Sequence, residues 1–333
     1  MTNRSRLYFL TFVSISEALL GCRREPSSVP VPSEAPALST TSETTWPLTV
    51  TDALGRKVKL EKPVNRIVSL TPSNTELLHA VGAGAKVVGG TTLDNYPPEA
   101  RVHPKVGGMS PRSINLEAVV ALRPDLVLTT SGIQESLVEP LERIGQTVIA
   151  LDARDFQEVA HNLRTVGRIT GHAAEAERVA VQFLKRTNQV EQQAKAHIKT
   201  KGRPQVLYLV HDDPLTTAGS ETFIGRMIEA AGGRNVFDDV SARFPKPSEE
   251  EIVVRAPEII LASYGPMGAK RPDNETRRER LRARPGWSRI PAIQNNRILF
   301  LDEDIITRPG PRLAEGLEAI AEALASSAPR SAD

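Results

Sequence analysis

The sequence predicts an α/β fold of two lobes, each a mainly parallel sheet flanked by helices, joined by one long rigid helix. Three observations carry that expectation. From Ala173 to about Lys199 the chain has neither proline nor glycine and is dominated by strong helix formers. Within it Val179, Phe183, Val190 and Ala194 recur at helical spacing, so one stripe faces protein and the rest faces water. Such a helix is about 40 Å long, the width of a domain. On either side lie segments of similar size in which short apolar strands alternate with helical patterns, the mark of parallel sheets. The internal sequence lacks an apolar run long enough to span a bilayer.

In chain order, Arg4 and Arg6 precede an apolar run from Leu7 to Ile15 and then Leu19-Leu20-Gly21-Cys22. This resembles a bacterial lipoprotein signal, with residues 1–21 removed and Cys22 lipidated. Residues 22–46, rich in Pro, Ser and Thr, read as a disordered tether. Leu48 to Leu60 alternates about Asp52–Gly55, a hairpin pattern.

The first lobe (47–170) has expected strands at Ile67–Leu70, Lys86–Gly90, Leu126–Thr130 and Thr147–Asp152. Ser73 and Glu76 have capping-box spacing and open a helix through Val81. Gly82 and Gly84 close that helix; a dinucleotide fingerprint would open one, and its third glycine is replaced by Val87. Asp155 and Glu158 cap a further helix, ended by Gly171. The bridging helix occupies 171–200.

The second lobe (201–325) has expected strands at Gln205–Val210, Asn235–Phe237, Ile259–Tyr264 and Arg297–Asp302. Thr222 opens a helix that stops at Gly232-Gly233, and a last helix runs from about Arg312 to Leu324. Residues 326–333 form a loose tail.

Composition narrows the function. The 333 residues suffice for two domains. The net charge of +2, with no basic patch interleaved with aromatics, argues against nucleic acid. A single cysteine excludes a disulfide framework and a cysteine-built zinc site. His79, His103, His161, His172 and His197 show no ligand spacing, so no dedicated metal site is expected.

Two matching segments carry the most information. Glu117 stands seven residues before Pro124, and Glu250 seven before Pro257; in each case an acid and three apolar residues follow as a strand. Both acids fall on a first helical turn, where the dipole favours a carboxylate. One anionic knob on each lobe is the result.

The chain resembles the ABC-importer substrate-binding proteins of the cobalamin, ferric-siderophore and haem class. The resemblance rests on TVTDALGRKV, RIVSLTPSNTELLHAVGAG, DNYPPEA, NLEAVVALRPDLVL, GSETFIGRMIEAAGGRNVF and TRPGPRLAEGLEAI, in that order across Thr49–Leu324. It implies a class III periplasmic binding protein: a monomer that alters no bond in its cargo, has no intrinsic cofactor, and delivers a metal chelate to a permease dimer with its ATPase. It implies that Glu117 and Glu250 dock onto permease arginines, a charge-assisted pairing that fixes register. It implies a cleft lined by Leu93, Asp94, Tyr96, Met109, Thr130, His211, Asp212, Tyr264 and Asp304. The location implied is the periplasm or cell envelope, with membrane attachment only through Cys22.

Cobalamin-binding members cover the corrin with aromatic side chains, whereas Leu93, Met109 and His211 stand at three such places here. Cobalamin is therefore the first expectation, with a siderophore or haem as the alternative. His211-Asp212-Asp213 reads as a polar turn, or as a contact to the metal of a bound macrocycle. An alternative of another class is a metal-dependent hydrolase or chelatase using His211, Asp212, Asp213 and Asp304; no nucleophile elbow or phosphate loop supports it. The arginines between Lys270 and Arg284 read as a solvated helical face.

Overall fold

The computed structural model describes residues 44–263 and 273–326, all within one compact unit that begins at Thr41. The expected signal with Cys22, most of the tether, Tyr264 and the tail from 327 lie outside the described residues.

An antiparallel hairpin of β1 (Leu48–Thr51) and β2 (Lys57–Leu60) comes first. Its turn is built by Asp52, whose carboxylate accepts the amides of Leu54 and Arg56 and pairs with the Arg56 guanidinium at 2.5 Å. Ala150 of the first lobe donates its amide to the same carboxylate, which docks the hairpin on the sheet. Trp46 packs on the core, so order begins before the expected end of the tether.

The first sheet contains β3 (Ile67–Ser69), β4 (Val87–Gly89), β5 (Leu126–Thr130) and β6 (Val148–Leu151), all parallel, in the order β4-β3-β5-β6. Its helices are α1 (Pro72–Ala80), α2 (Leu116–Ala121), α3 (Val138–Arg143) and α4 (Phe156–Thr170). Strand periodicity sends Ile67, Leu126 and Leu128 to the face covered by α1 and α4. Val68, Val127 and Val148 go to the face covered by α2 and α3. Burial on both faces explains the unbroken apolar runs of these strands.

Helix α1 corrects one expectation. Its cap is Thr71, whose hydroxyl accepts the Asn74 amide, and Pro72 takes the first helical position. Proline is pre-organised for that place, so the cap lies two residues before Ser73, and Glu76 is released for another task.

Helix α5 (Ala173–Lys201) follows α4 after Gly171, which has φ of 76° and ends α4 in the left-handed conformation. Its buried residues are Ala176, Ala180, Phe183, Thr187, Val190 and Ala194, alternating four and three residues apart. Val179 sits at the margin of this stripe, half-buried. A Cβ on Gly167 would lie 2.1 Å from that of Ala176, so glycine permits α4 and α5 to touch.

The second sheet contains β7 (Gln205–Asp212), β8 (Leu215–Thr217), β9 (Arg234–Asn235), β10 (Ile259–Ala262) and β11 (Ile298–Phe300). The order is β11-β10-β7-β8, with β9 beside the start of β7. All pairings are parallel except that of β8, an antiparallel return through Asp213-Pro214 too short to be read from periodicity. Helices α6 (Phe223–Ala230), α7 (Glu249–Arg255), α8 (Asn274–Arg282), α9 (Pro291–Gln294), α10 (Glu303–Ile306) and α11 (Leu313–Ala325) surround it.

Among the described residues no strand pairing joins the two sheets. One apolar core nevertheless runs through both lobes, from Leu126 and Leu163 by way of Phe183 and Val190 to Tyr208, Leu261 and Leu317. Burying a side chain such as Phe183 contributes about 1.5–3 kcal/mol. The bridging helix is thus the middle layer of a shared core as well as a covalent strut.

Candidate functional site

In open α/β sheets the loops at the carboxyl ends of the strands are where ligands bind. In this chain those loops from the two lobes meet. Asn95, after β4, donates through Nδ2 to Asp304 Oδ2 at 2.7 Å, just after β11. Arg308, beyond α10, donates to Asn95 Oδ1 at 2.7 Å and to the Leu93 carbonyl at 3.4 Å, and pairs with Asp304 at 2.6 Å. Glu76 of α1 accepts from Arg308 at 3.2 Å and takes Arg312 through both oxygens, at 2.9 and 2.7 Å. The Arg312 guanidinium lies 4.0 Å from the centre of the Tyr96 ring.

The expected cleft residues fall into unlike roles. Leu93 and Met109 are half-buried, while Tyr96 and His211 are exposed. Asp94 is a correction: its carboxylate is buried and accepts from the Thr75 hydroxyl and from the amide and hydroxyl of Thr91, so it locks its own loop. Asp304 is another, because its oxygens are taken by Arg308 and Asn95. Asp212 offers its carbonyl to Arg284 at the end of β7. Thr130 donates its amide to Gln134 at 3.3 Å.

Gln134 has no place in the sequence reading, yet it organises this edge. Its buried amide accepts from the Thr129 hydroxyl at 2.9 Å and donates to the carbonyls of Leu70 at 2.7 Å and Met109 at 2.9 Å. Three loops distant in sequence are fixed by one side chain, and nothing in local spacing marks it. Beside them a cavity of about 370 Å³, within the size range of ligand sites, is lined by Ser131, Asp152, Arg154 and His161 of the first lobe and Arg243 of the second.

The two acids singled out by spacing occupy equivalent places. Asn115 caps α2 by accepting the Ala118 amide, and Ser248 caps α7 by accepting that of Glu251. Glu117 and Glu250 are each the second residue of their helix, and both are exposed. Each helix precedes a strand of a parallel sheet and runs back against it, so its first turn emerges at the carboxyl edge. The backbone amide of Glu250 and the Ser248 hydroxyl hold the Glu250 carboxyl below its usual range. The neighbours of Glu250 are engaged: Glu249 pairs with Arg284 at 2.5 Å and Glu251 with Arg255 at 3.0 Å.

A periodic pattern of this kind has known counterparts. The family model described as periplasmic binding protein matches residues 67–305. The chain belongs to that family. An uncharacterised ABC transporter substrate-binding lipoprotein, YvrC of Bacillus subtilis, is 32% identical over 84% of this chain and 86% of its own. A cobalamin-binding protein of Halobacterium salinarum is 32% identical over 84% of this chain and 74% of its own. Among solved structures, the periplasmic haem-binding protein RhuT of Roseiflexus sp. RS-1 superposes with a TM-score of 0.67 at 27% identity, covering 79% of this chain and 98% of that one.

Periplasmic binding proteins of this kind are substrate-binding transport proteins and not enzymes, so the hydrolase alternative falls. Solved relatives such as RhuT and a haem-binding protein of Pseudomonas aeruginosa are described as periplasmic, and the Bacillus subtilis relative as part of an ABC transporter. Among the described residues no helix is long and apolar enough to cross a membrane, and no group of three or more metal-ligating side chains is arranged around a common point.

One contact is added to the sequence reading, and one reading is refined. His79 and His103, 24 residues apart, meet with their Nε2 atoms 3.2 Å from each other. The arginines of α8 and its sequel, balanced in the sequence reading by the acids of the same helix, divide. Arg280 is exposed and Arg278 and Arg282 have such an acid, but Arg277 and Arg284 are held by distant groups, and Arg271 lies outside the described residues. Arg277 stacks at 3.9 Å over Phe300, Arg278 and Arg282 pair with Glu275, and Arg284 is bound to Glu249.

Proposed function

We propose that this chain captures a cobalamin-like ligand, or another metal chelate, in the cleft between its lobes and presents it to an ABC permease dimer. Glu117 and Glu250 are the docking carboxylates in this reading, and Cys22 carries the lipid anchor of a monomeric, envelope-located protein with no intrinsic cofactor. The observation that carries it is the meeting of carboxyl-edge loops from two separate parallel sheets, in a chain alignable over most of its length with a cobalamin-binding protein. The Bacillus subtilis relative, itself a lipoprotein, supports the anchor.

Ligand enclosure rests on few aromatics. Trp287, Tyr208 and Phe237 are fully buried, whereas Tyr96 and Phe244 are exposed aromatics, and Leu93 and Met109 add half-buried apolar surface near the loops. A haem is the second reading, favoured by the similarity to RhuT. Titration of the purified protein with cyanocobalamin, haemin and a ferric hydroxamate, followed by absorbance, separates these. One equivalent of cyanocobalamin is expected to bind and to raise stability by about 2.7 kcal/mol at a hundredfold excess over Kd. Binding of haemin alone establishes the second reading, and binding of none of the three removes the metal-chelate assignment.

A further inference from the structure

We infer that Glu76 is a positioning residue that sets the width of the interlobe cleft, acting through Arg308 and Arg312. It deepens the proposed function by naming what holds the binding loops in place, and it rests on that reading for the cleft's being the ligand site.

The Glu76 side chain is 1% exposed, and Arg308 and Arg312 are 8% and 14% exposed, so water does not substitute for either partner. Among the described residues the cations paired with that carboxylate come from the far end of the chain, 232 and 236 residues away, and from the other lobe. Separating the lobes withdraws both guanidiniums at once and breaks three charge-assisted bonds, with only water left to replace them.

Arg308 extends the hold to the binding loops. It closes a ring with Asn95 and Asp304 in which every link lies between 2.6 and 2.7 Å. Through this ring and the Leu93 carbonyl the Leu93–Tyr96 loop of the first lobe is fastened to the second lobe. Tyr96 is covered on one face by Arg312. The long helix leaves twisting freedom about its ends, and the shared apolar core is non-directional and tolerates sliding. Directional, charge-assisted bonds at a second attachment remove both freedoms.

Val102 and Val254 are each 83% exposed, one on each lobe, and Cys22 is the single native cysteine. The full chain carrying Cys22→Ser, Val102→Cys and Val254→Cys therefore accepts one spin label per lobe, and pulsed dipolar spectroscopy reads the distance between them. A single narrow distribution is expected for this background. Adding Glu76→Gln is expected to produce a second, longer-distance population, and Arg312→Lys a smaller broadening. A merely stabilising ion pair lowers the melting temperature and leaves the distances unchanged. A narrow, unshifted distribution in a folded Glu76→Gln protein overturns the inference. If that variant does not fold, Arg312→Gln, at the more accessible end of the cluster, carries the same test with the same overturning result. No ligand is present in this measurement. An error in the ligand assignment shows in the titrations, and an error in the positioning role shows here.

Discussion

Helix α2 in the first lobe and α7 in the second begin on side-chain caps, Asn115 and Ser248. They stop where Arg123 and Ala256, both with φ of 45°, stand directly before a proline. A non-glycine residue in that conformation costs about 1–2 kcal/mol, and the following proline excludes further helix, so each lobe accepts the same strain to turn into its strand. The first turns differ. Helix α2 carries one acid, Glu117, whereas α7 carries Glu249, Glu250 and Glu251. In α7 two of the three are claimed by arginines, Arg284 and Arg255, and the middle one is left facing solvent. Local sequence therefore builds matching helices and pairs Glu251 with Arg255 one turn on, and a tertiary partner, Arg284, takes Glu249, so Glu250 is the exposed acid equivalent in place to Glu117.

The largest effect that tests this equivalence is on transport. Glu117→Ala combined with Glu250→Ala is expected to abolish uptake of the bound ligand while leaving its affinity in solution unchanged. Each single replacement on the exposed surface should alter stability by no more than about 0.5 kcal/mol. Uptake that persists in the double variant would show that the paired knobs are not the docking points.

Glu249→Ala sharpens the contrast within α7. Glu249 holds Arg284, which also donates to the Asp212 carbonyl, and one of its oxygens is buried without a hydrogen-bond partner. Loss of a charged hydrogen bond of this kind costs about 1.5–3 kcal/mol, read as a lower urea midpoint, against almost nothing for Glu250→Ala. Equal midpoints would mean that the three acids are not differentiated by their surroundings.

The caps come next in size. Asn115→Ala and Ser248→Ala are each expected to cost about 1 kcal/mol in urea denaturation. A marked inequality between them would break the symmetry drawn from the backbone.

The smallest expected effect separates the lobes by pH. In the first lobe His79 is held below the ordinary 6.5 by burial, against the opposing charges of Glu99 and Asp94. His103 is lowered by burial and by His79 and Lys105, against Asp94. With folded values below the unfolded one, the unfolded chain takes up protons first. Stability is therefore intact above 6.5 and falls as pH drops through the depressed folded values. The urea midpoint should decline between about pH 7.5 and about pH 5, and His79→Gln with His103→Gln should flatten that decline. An unchanged slope would place the pH dependence in that window on groups other than this pair; Asp52, whose carboxyl is held low by Arg56 and the Ala150 amide against burial, acts only at more acid pH.

Much of the fold was legible because its signals are local. The span of α5, the caps Asp155 and Thr222, the left-handed Gly171 and strand β5 all follow from residues within a few positions of one another. Errors arose where two local rules competed, as at Thr71 and Ser73, where the proline between them chose the start of α1. The site was less legible. Asp94 and Asp304 look in sequence like polar loop residues suited to a ligand, but each is consumed by partners in the protein. Gln134 and Glu76 were not assigned these roles, because their partners lie up to 236 residues away.

By itself the sequence determined two α/β lobes, a stiff helix between them and a matched acid on each, since propensity, periodicity and capping act over one or two turns. Only the tertiary structure decided that the lobes share one core through that helix, that Glu76 gathers arginines from the opposite lobe, and that Arg284 takes Glu249 beside the exposed Glu250. Those outcomes depend on which distant groups burial forces together, because a charge removed from water must find a counter-charge wherever the packed chain supplies one.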